Sequence, residues 1–123
     1  MSYSVRAFPL CRPVGELMAF VAELHGPRRA EAEAAYRRYG VLHDSWHVQH
    51  TPHGPWVLVV TVVEDRTKIA EYAASTSAFE VWFKSMILAL SGTDPNELPF
   101  GPPTTEIHEW SSQKLAATCA GIE

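Results

Sequence analysis

The segment 56–63 limits what this chain can fold into more than any other part of the sequence. It reads Trp-Val-Leu-Val-Val-Thr-Val-Val, and its β-branched content favours a strand. Successive side chains of a strand point to opposite faces, which gives two rows here. Both rows are apolar: Trp56, Leu58, Val60 and Val62 form one, and Val57, Val59 and Val63 form the other. Such a strand requires cover on both faces.

The length and composition fit a single globular domain. The chain has 123 residues, of which 46% are hydrophobic and 20% are charged, and this is enough for a modest core. We assign the domain to residues 1–110. Residues 111–123 are a weakly apolar tail that could form a short helix, a frayed end or an arm on a neighbouring molecule.

Charge and hydropathy exclude several classes of partner. The net charge is −4, and the arginines between residues 28 and 38 alternate with glutamates, so we expect no nucleic-acid binding. No apolar run approaches the ~20 residues that a membrane-spanning helix needs, and the first residues do not resemble a secretion signal. We therefore expect a cytoplasmic protein without membrane association. The spacing of Cys11 and Cys119 resembles neither a metal site nor a redox pair, so we expect free thiols, and the alternative is a disulfide between them in an oxidising compartment.

Apolar periodicity and turn residues predict strands at 3–10, 41–50, 56–63 and 104–110. Helices are predicted at 13–25 and 28–39, before the second strand, and at 67–90 with an interruption at 75–77. The segment 51–55 is expected to be a hairpin loop of several residues.

Two details of the helices can be predicted from single residues. Helix 28–39 has only a thin apolar stripe of Ala30, Ala34 and one of its tyrosines, Tyr36 or Tyr39, so we expect it to be largely exposed. Ser77 is followed three residues later by Glu80, a spacing typical of a capping box at the start of a helix.

The element order is strand, helix, strand, strand, helix, strand, as in ferredoxin-like α+β folds. Right-handed crossovers place both helical regions on one face of a four-stranded antiparallel sheet. The other face then exposes one apolar row of the segment 56–63. Since exposed apolar patches of this kind usually mark an interface, we predict a homodimer formed through the sheet face.

With this element order and this two-sided third strand, the chain resembles the dimeric α+β barrel superfamily, which includes antibiotic-biosynthesis-type monooxygenases and stress-responsive barrel proteins. The resemblance covers residues 3–110. It implies a ligand cavity between the sheet and the helices, with a small apolar or aromatic ligand. The side chains that would line it are aromatic: Trp46, Tyr72, Phe79, Trp82 and Phe83. The same rings could equally fill a core without any ligand.

Four histidines, at positions 43, 47, 50 and 53, raise the possibility of a metal site. His43 and His47 share one face of a strand but are separated by roughly 13 Å at ~3.3 Å per residue, too far apart to bind one ion. We therefore predict no metal site. No glycine-rich phosphate loop is present, and the segment 67–90 lacks the histidine that haem-degrading relatives would use, so no cofactor is expected.

General acid–base catalysis is the second chemical possibility. His47 or His108 could act as the base in the cavity, with Asp44, Tyr72 or Glu106 as a partner. Three functions remain open on this evidence. They are a homodimeric small-molecule-binding protein, a cofactor-independent monooxygenase or polyketide-cyclase-like enzyme that uses a pocket histidine, and a structural or partner-binding dimer without a ligand.

Overall fold

The computed structural model describes residues 2–97 and 100–112 and has an α+β fold. Its elements follow one another with short connections. They are β1 (Ser2–Pro9), α1 (Val14–His25), α2 (Arg29–Arg38), β2 (Val41–Thr51), β3 (Gly54–Val63), α3 (Thr67–Ala74) and α4 (Ala78–Ser91). These elements confirm the predicted order as far as the end of the second helical region.

The three strands form one antiparallel sheet in the order β1-β3-β2, so the apolar segment 56–63 lies in its centre. Val59 pairs with Arg6 of β1 on one side and with Trp46 of β2 on the other. The β2–β3 ladder extends to the pair Thr51 and Gly54. The hairpin turn is therefore tighter than the predicted loop, because Gly54 adopts a positive φ of 106° that a larger residue would resist.

All four helices pack on the face of the sheet that carries the odd-numbered side chains of β3. Val57 and Val59 have exposures of 0% and 1%. They belong to a core cluster with Phe8 of β1, Phe20 of α1 and Ile87 of α4, against which side chains of α2 and α3 also pack. The predicted placement of the helices on one face is confirmed.

The opposite face of the sheet, which we call the open face, has no helix on it in the described part of the chain. By register it carries the even-numbered row of β3 and the neighbouring side chains of β1, where Tyr3 and Val5 are 51% and 43% exposed. The row of β2 on this face is polar and consists of His43, Ser45, His47 and Gln49. The apolar part of the open face is thus the β1–β3 half.

The segment 104–110, predicted as a fourth strand, has no strand structure. It follows a turn in which Gly101 adopts a φ of 99° and directs its carbonyl to the Arg6 guanidinium at 2.9 Å. Thr104 then donates a side-chain hydrogen bond to the carbonyl of Val5. The chain therefore lies beside β1, but the contacts found there involve side chains and do not form a backbone ladder. The sheet has three strands within residues 2–97 and 100–112, and residues 113–123 of the predicted tail, with Cys119, lie outside the described residues.

Ser77 is the N-cap residue of helix α4, as predicted, but the capping box does not form. The Ser77 hydroxyl donates to the Glu80 carboxylate instead of accepting from a backbone N–H. Glu80 is only 1% exposed, because its carboxylate points inward and pairs with α2. The residue expected to cap the helix is thus part of the interior.

Helix α2 is largely exposed, as predicted, but the stripe that faces the core is not the predicted one. Ala32, Ala35 and Tyr39 are 3%, 7% and 6% exposed, whereas Ala30 and Ala34 are exposed. The prediction of the stripe was wrong because alanines occupy both stripes, and hydrophobicity alone cannot distinguish them.

Candidate functional site

A cavity of about 100 Å³ lies between the helices and the β2–β3 half of the sheet. The surface that it presents is apolar. Twelve residues line it: Ala32, Ala35, Tyr36, Tyr39, Val41, Asp44, Thr61, Tyr72, Phe79, Glu80, Phe83 and Phe100. This volume is far below the ≈ 300–1,000 Å³ of pockets for drug-sized ligands, but close to cavities that accept benzene.

Half of the lining residues are aromatic, and four of their rings are in edge-to-face contact. Tyr39 of α2 and Tyr72 of α3 have ring centroids 5.7 Å apart at an interplanar angle of 81°. Phe83 of α4 meets Tyr72 at 6.2 Å and 78°, and Phe100 at 6.5 Å and 83°. Perpendicular contacts are favourable for aromatic pairs, and they leave gaps that parallel stacking would close.

Phe100 reaches this wall from the loop after α4. It has a φ of 59°, which is uncommon for a residue other than glycine. Its ring packs on Trp46 at 5.3 Å. The next residue, Gly101, sits so close to β1 that a Cβ atom there would lie 2.5 Å from the Ala7 carbonyl oxygen. The absence of a side chain at 101 therefore lets the loop place Phe100 under the sheet.

Glu80 forms a buried polar cluster on one side of the cavity. Its carboxylate accepts hydrogen bonds from the Arg38 guanidinium, from the Ser77 hydroxyl and from the Tyr39 hydroxyl, the last at 3.0 Å. Burying a carboxylate is costly unless charge and hydrogen bonds compensate for the lost water. Arg38 and the two hydroxyls supply that compensation, and they fix α2 against α4.

Asp44 on β2 is the second carboxylate of the wall. Its oxygens accept hydrogen bonds from the Thr61 hydroxyl at 2.9 Å and from the Trp46 indole N–H at 3.1 Å, and Tyr36 donates a third. Burial raises the pKa of Asp44, and the three hydrogen bonds oppose this shift only in part. Burial, with the Asp44 charge as a second cause, also raises the pKa of Tyr36.

Tyr72 carries the one polar side-chain atom that is buried without a hydrogen-bond partner among the described residues, its hydroxyl. Burial raises the pKa of this phenol, and the neighbouring Tyr39 and Glu80 act in the same direction. An unpaired buried hydroxyl is destabilising, so its presence in the wall of a cavity is a reason to look for a missing partner.

The structure brings three of the five predicted pocket aromatics to the cavity, namely Tyr72, Phe79 and Phe83. Trp46 lies behind the wall, where it packs on Phe20 at 5.7 Å. Trp82 packs on the other side of Phe20, and its outer ring face is covered by the Arg28 guanidinium at 4.0 Å. Neither tryptophan lines this cavity, although Trp46 lines a second pocket beside it.

Of the three candidate catalytic residues, the structure places only Asp44 at the cavity. By register His47 points to the open face, and its ring and that of His43 contact the same Ser45 hydroxyl at 3.1 and 3.0 Å. His108 is exposed in the segment beside β1. None of the described residues that line this cavity is a histidine. His47 instead lines the second pocket, of about 330 Å³, with Trp46 and Asp44. His108 lines a third pocket of about 560 Å³, beside β1, together with Glu106.

Other lining residues were not predicted from the sequence. Tyr36 and Tyr39 were considered only as possible members of the thin apolar stripe of α2, Glu80 was considered as a helix cap, and no role was predicted for Phe100. A periodic signal could have found the two tyrosines if the stripe of α2 had been centred on Ala32 and Ala35. No local sequence pattern predicts that Phe100 lines the cavity, because a loop residue is not part of a regular helix or strand face.

Comparison with protein-family models, with curated protein sequences and with solved structures finds no match to this chain. Among residues 2–97 and 100–112, no three histidine, cysteine, aspartate or glutamate side chains meet in a way that could hold a metal ion. The helices of the described segments are all too short or too polar to span a bilayer. The assignment of function therefore depends on the cavity and on the open face.

Proposed function

We propose that this protein is a homodimer that binds a small, largely apolar ligand of about one aromatic ring in the cavity of each subunit. The observation that carries the proposal is the cavity itself, which has an apolar surface and the unpaired Tyr72 hydroxyl in its wall. The cavity is partly open, so a ligand can enter it, and covering its apolar surface would favour binding through the hydrophobic effect.

The apolar half of the open face supports the dimer. Trp56, Leu58 and Val60 of β3 are partly exposed there, and Tyr3 and Val5 of the neighbouring strand β1 lie on the same face. Packing two such faces about a two-fold axis would cover the same patch on both subunits. The polar row of β2 would then lie at the rim of the interface, where contact with water costs little.

The ligand proposal can be tested by filling the cavity. Ala35 lines the cavity on α2, whereas Ala34 is exposed on the same helix. Thermal unfolding with added toluene or phenol should show a rise in Tm for the wild-type chain and for Ala34→Leu, because a ligand that binds only the folded state stabilises it. Ala35→Leu should lose the rise, since its side chain occupies the space. Equal ligand responses in both variants would contradict the proposal.

The dimer proposal is tested by a charge on the open face. Val60 lies in the even-numbered row, and Val81 is 51% exposed on the outside of α4. In light scattering coupled to size exclusion, the wild-type chain and Val81→Lys should have the mass of a dimer, and Val60→Lys that of a monomer. A monomeric wild-type chain, or a dimeric Val60→Lys variant, would refute the interface.

A further inference from the structure

We propose that the cavity prefers an organic cation, in particular a quaternary ammonium group, which the aromatic wall surrounds and the Asp44 carboxylate attracts. This inference rests on the proposed small-molecule site and names the class of ligand that the site selects. The inference can be distinguished from a purely apolar site, because such a site would bind the neutral molecule of the same shape more tightly than the cation.

The first argument is the composition of the wall. Half of the lining residues are aromatic, and they come from three helices and a loop: Tyr36, Tyr39, Tyr72, Phe79, Phe83 and Phe100. Aromatic faces carry negative potential and attract a cation within ≈ 6 Å of the ring centroid, which is how aromatic cages recognise quaternary ammonium groups. Such a group has no N–H to satisfy, so it suits a cavity whose surface is apolar.

The second argument is an unbalanced charge. Glu80 is neutralised by Arg38, but Asp44 forms no ion pair with a lysine or arginine among the described residues. Its hydrogen-bond donors, Thr61, Trp46 and Tyr36, are all neutral. The ring of His43 is on the other face of β2, and its charge makes the smallest contribution to the pKa of Asp44. A cation in the adjacent cavity would supply the missing counter-charge.

The poor solvation of the Asp44 carboxylate is a third argument for a cationic ligand. Burial raises the pKa of this carboxyl although three hydrogen bonds oppose the shift, which means that its negative charge is poorly solvated. An anionic ligand would add to this cost, and a neutral one would leave it unchanged. Only a cation would relieve it, because opposite charges attract strongly where water is excluded.

The experiment compares choline with 3,3-dimethyl-1-butanol, in which carbon replaces the charged nitrogen. NMR titration of the full-length protein at constant ionic strength gives the dissociation constant of each compound. We expect choline to bind at least about tenfold more tightly than the alcohol. That preference should be lost in Asp44→Asn and retained in Glu71→Gln, which removes the same charge from an exposed position on α3.

The outcomes separate this inference from the proposed function. If the alcohol binds as tightly as choline, the cation preference is refuted and the small-molecule site stands. If choline, the alcohol and toluene all fail to bind, both proposals are refuted. Should Asp44→Asn lose its fold, Phe79→Leu provides the second test, because it removes one ring of the wall and should weaken choline several-fold more than the alcohol. An unchanged ratio in that variant, or in a folded Asp44→Asn, would overturn the inference.

Discussion

Replacing Tyr72 with phenylalanine should stabilise the protein, and this prediction tests the description of the cavity wall directly. The change removes a buried hydroxyl that has no partner among the described residues and leaves the ring, with its edge contacts to Tyr39 and Phe83, in place. An unsatisfied buried polar group costs about 1–3 kcal/mol. Because relaxation or a transient water recovers part of this cost, we expect a gain of about 1–2 kcal/mol.

The matched control is Tyr39→Phe, the same chemical change in the neighbouring ring. The Tyr39 hydroxyl donates to the Glu80 carboxylate at 3.0 Å. Its loss should cost about 1.5–3 kcal/mol, the usual range for a hydrogen bond to a charged group. The same tyrosine-to-phenylalanine change should therefore raise the free energy of unfolding at position 72 and lower it at position 39.

The assay is urea denaturation, in which the two variants and the wild-type chain are compared at equal m-values, supported by thermal unfolding. For a chain of this length, the expected gain for Tyr72→Phe corresponds to a rise in Tm of about 3–8 °C. Most substitutions destabilise a protein, so a rise has diagnostic value. A loss of 1 kcal/mol or more would show that the hydroxyl is hydrogen-bonded in solution, and the cavity would then lack the unpaired group that supports a ligand.

Three further predictions concern the elements around the cavity. Lys84→Met should lower the free energy of unfolding by about 1.5–3 kcal/mol and speed amide hydrogen exchange in α3. The reason is that the Lys84 ammonium donates to three carbonyls at the end of that helix, including that of Ala73 at 3.1 Å. Unchanged exchange would contradict this role. Gly101→Ala should destabilise the fold by more than about 1 kcal/mol in denaturant unfolding, since its φ of 99° and the Ala7 carbonyl leave no place for a Cβ, and wild-type stability would refute the close approach. Above pH 10 the free energy of unfolding should fall as pH rises, by up to about 1.4 kcal/mol per pH unit for each of Tyr36 and Tyr72. The pKa values of both are raised by burial, so the folded chain keeps protons that the unfolded chain releases; an ultraviolet titration in which both phenols ionise near the ordinary tyrosine pKa of about 10 would contradict the sign.

Local sequence patterns were sufficient to predict those elements whose residues fit only one type of secondary structure. The β-branched, almost continuously apolar run 56–63 predicted the central strand and showed that both of its rows are apolar. The stripe of Leu17, Phe20 and Leu24 identified α1, and these residues are 2%, 1% and 7% exposed. The β-branched composition favours a strand in the first case, and the spacing of three and four residues matches a helix in the second, so neighbours in the chain determine both outcomes.

Sequence patterns gave wrong predictions where the same residues fitted two different structures equally well. In α2, alanines lie on two stripes, and only packing against β2 and α4 selects Ala32 and Ala35. At Ser77 and Glu80, a capping box and an inward carboxylate are both compatible with the spacing, and the position of Arg38 decides between them. In 104–110, the alternation permits a strand, but the described contacts to β1 are made by side chains.

The sequence by itself determined that this chain has a central strand with no hydrophilic side, and that its helices could cover only one face. Those properties follow from side-chain alternation and from the handedness of connections, which act over a few residues. The tertiary structure alone decided which residues meet at the cavity, because Tyr36, Asp44, Tyr72, Glu80 and Phe100 lie on five different segments. Their proximity depends on how the segments pack, and neither hydrophobicity nor spacing within any one segment encodes that distance.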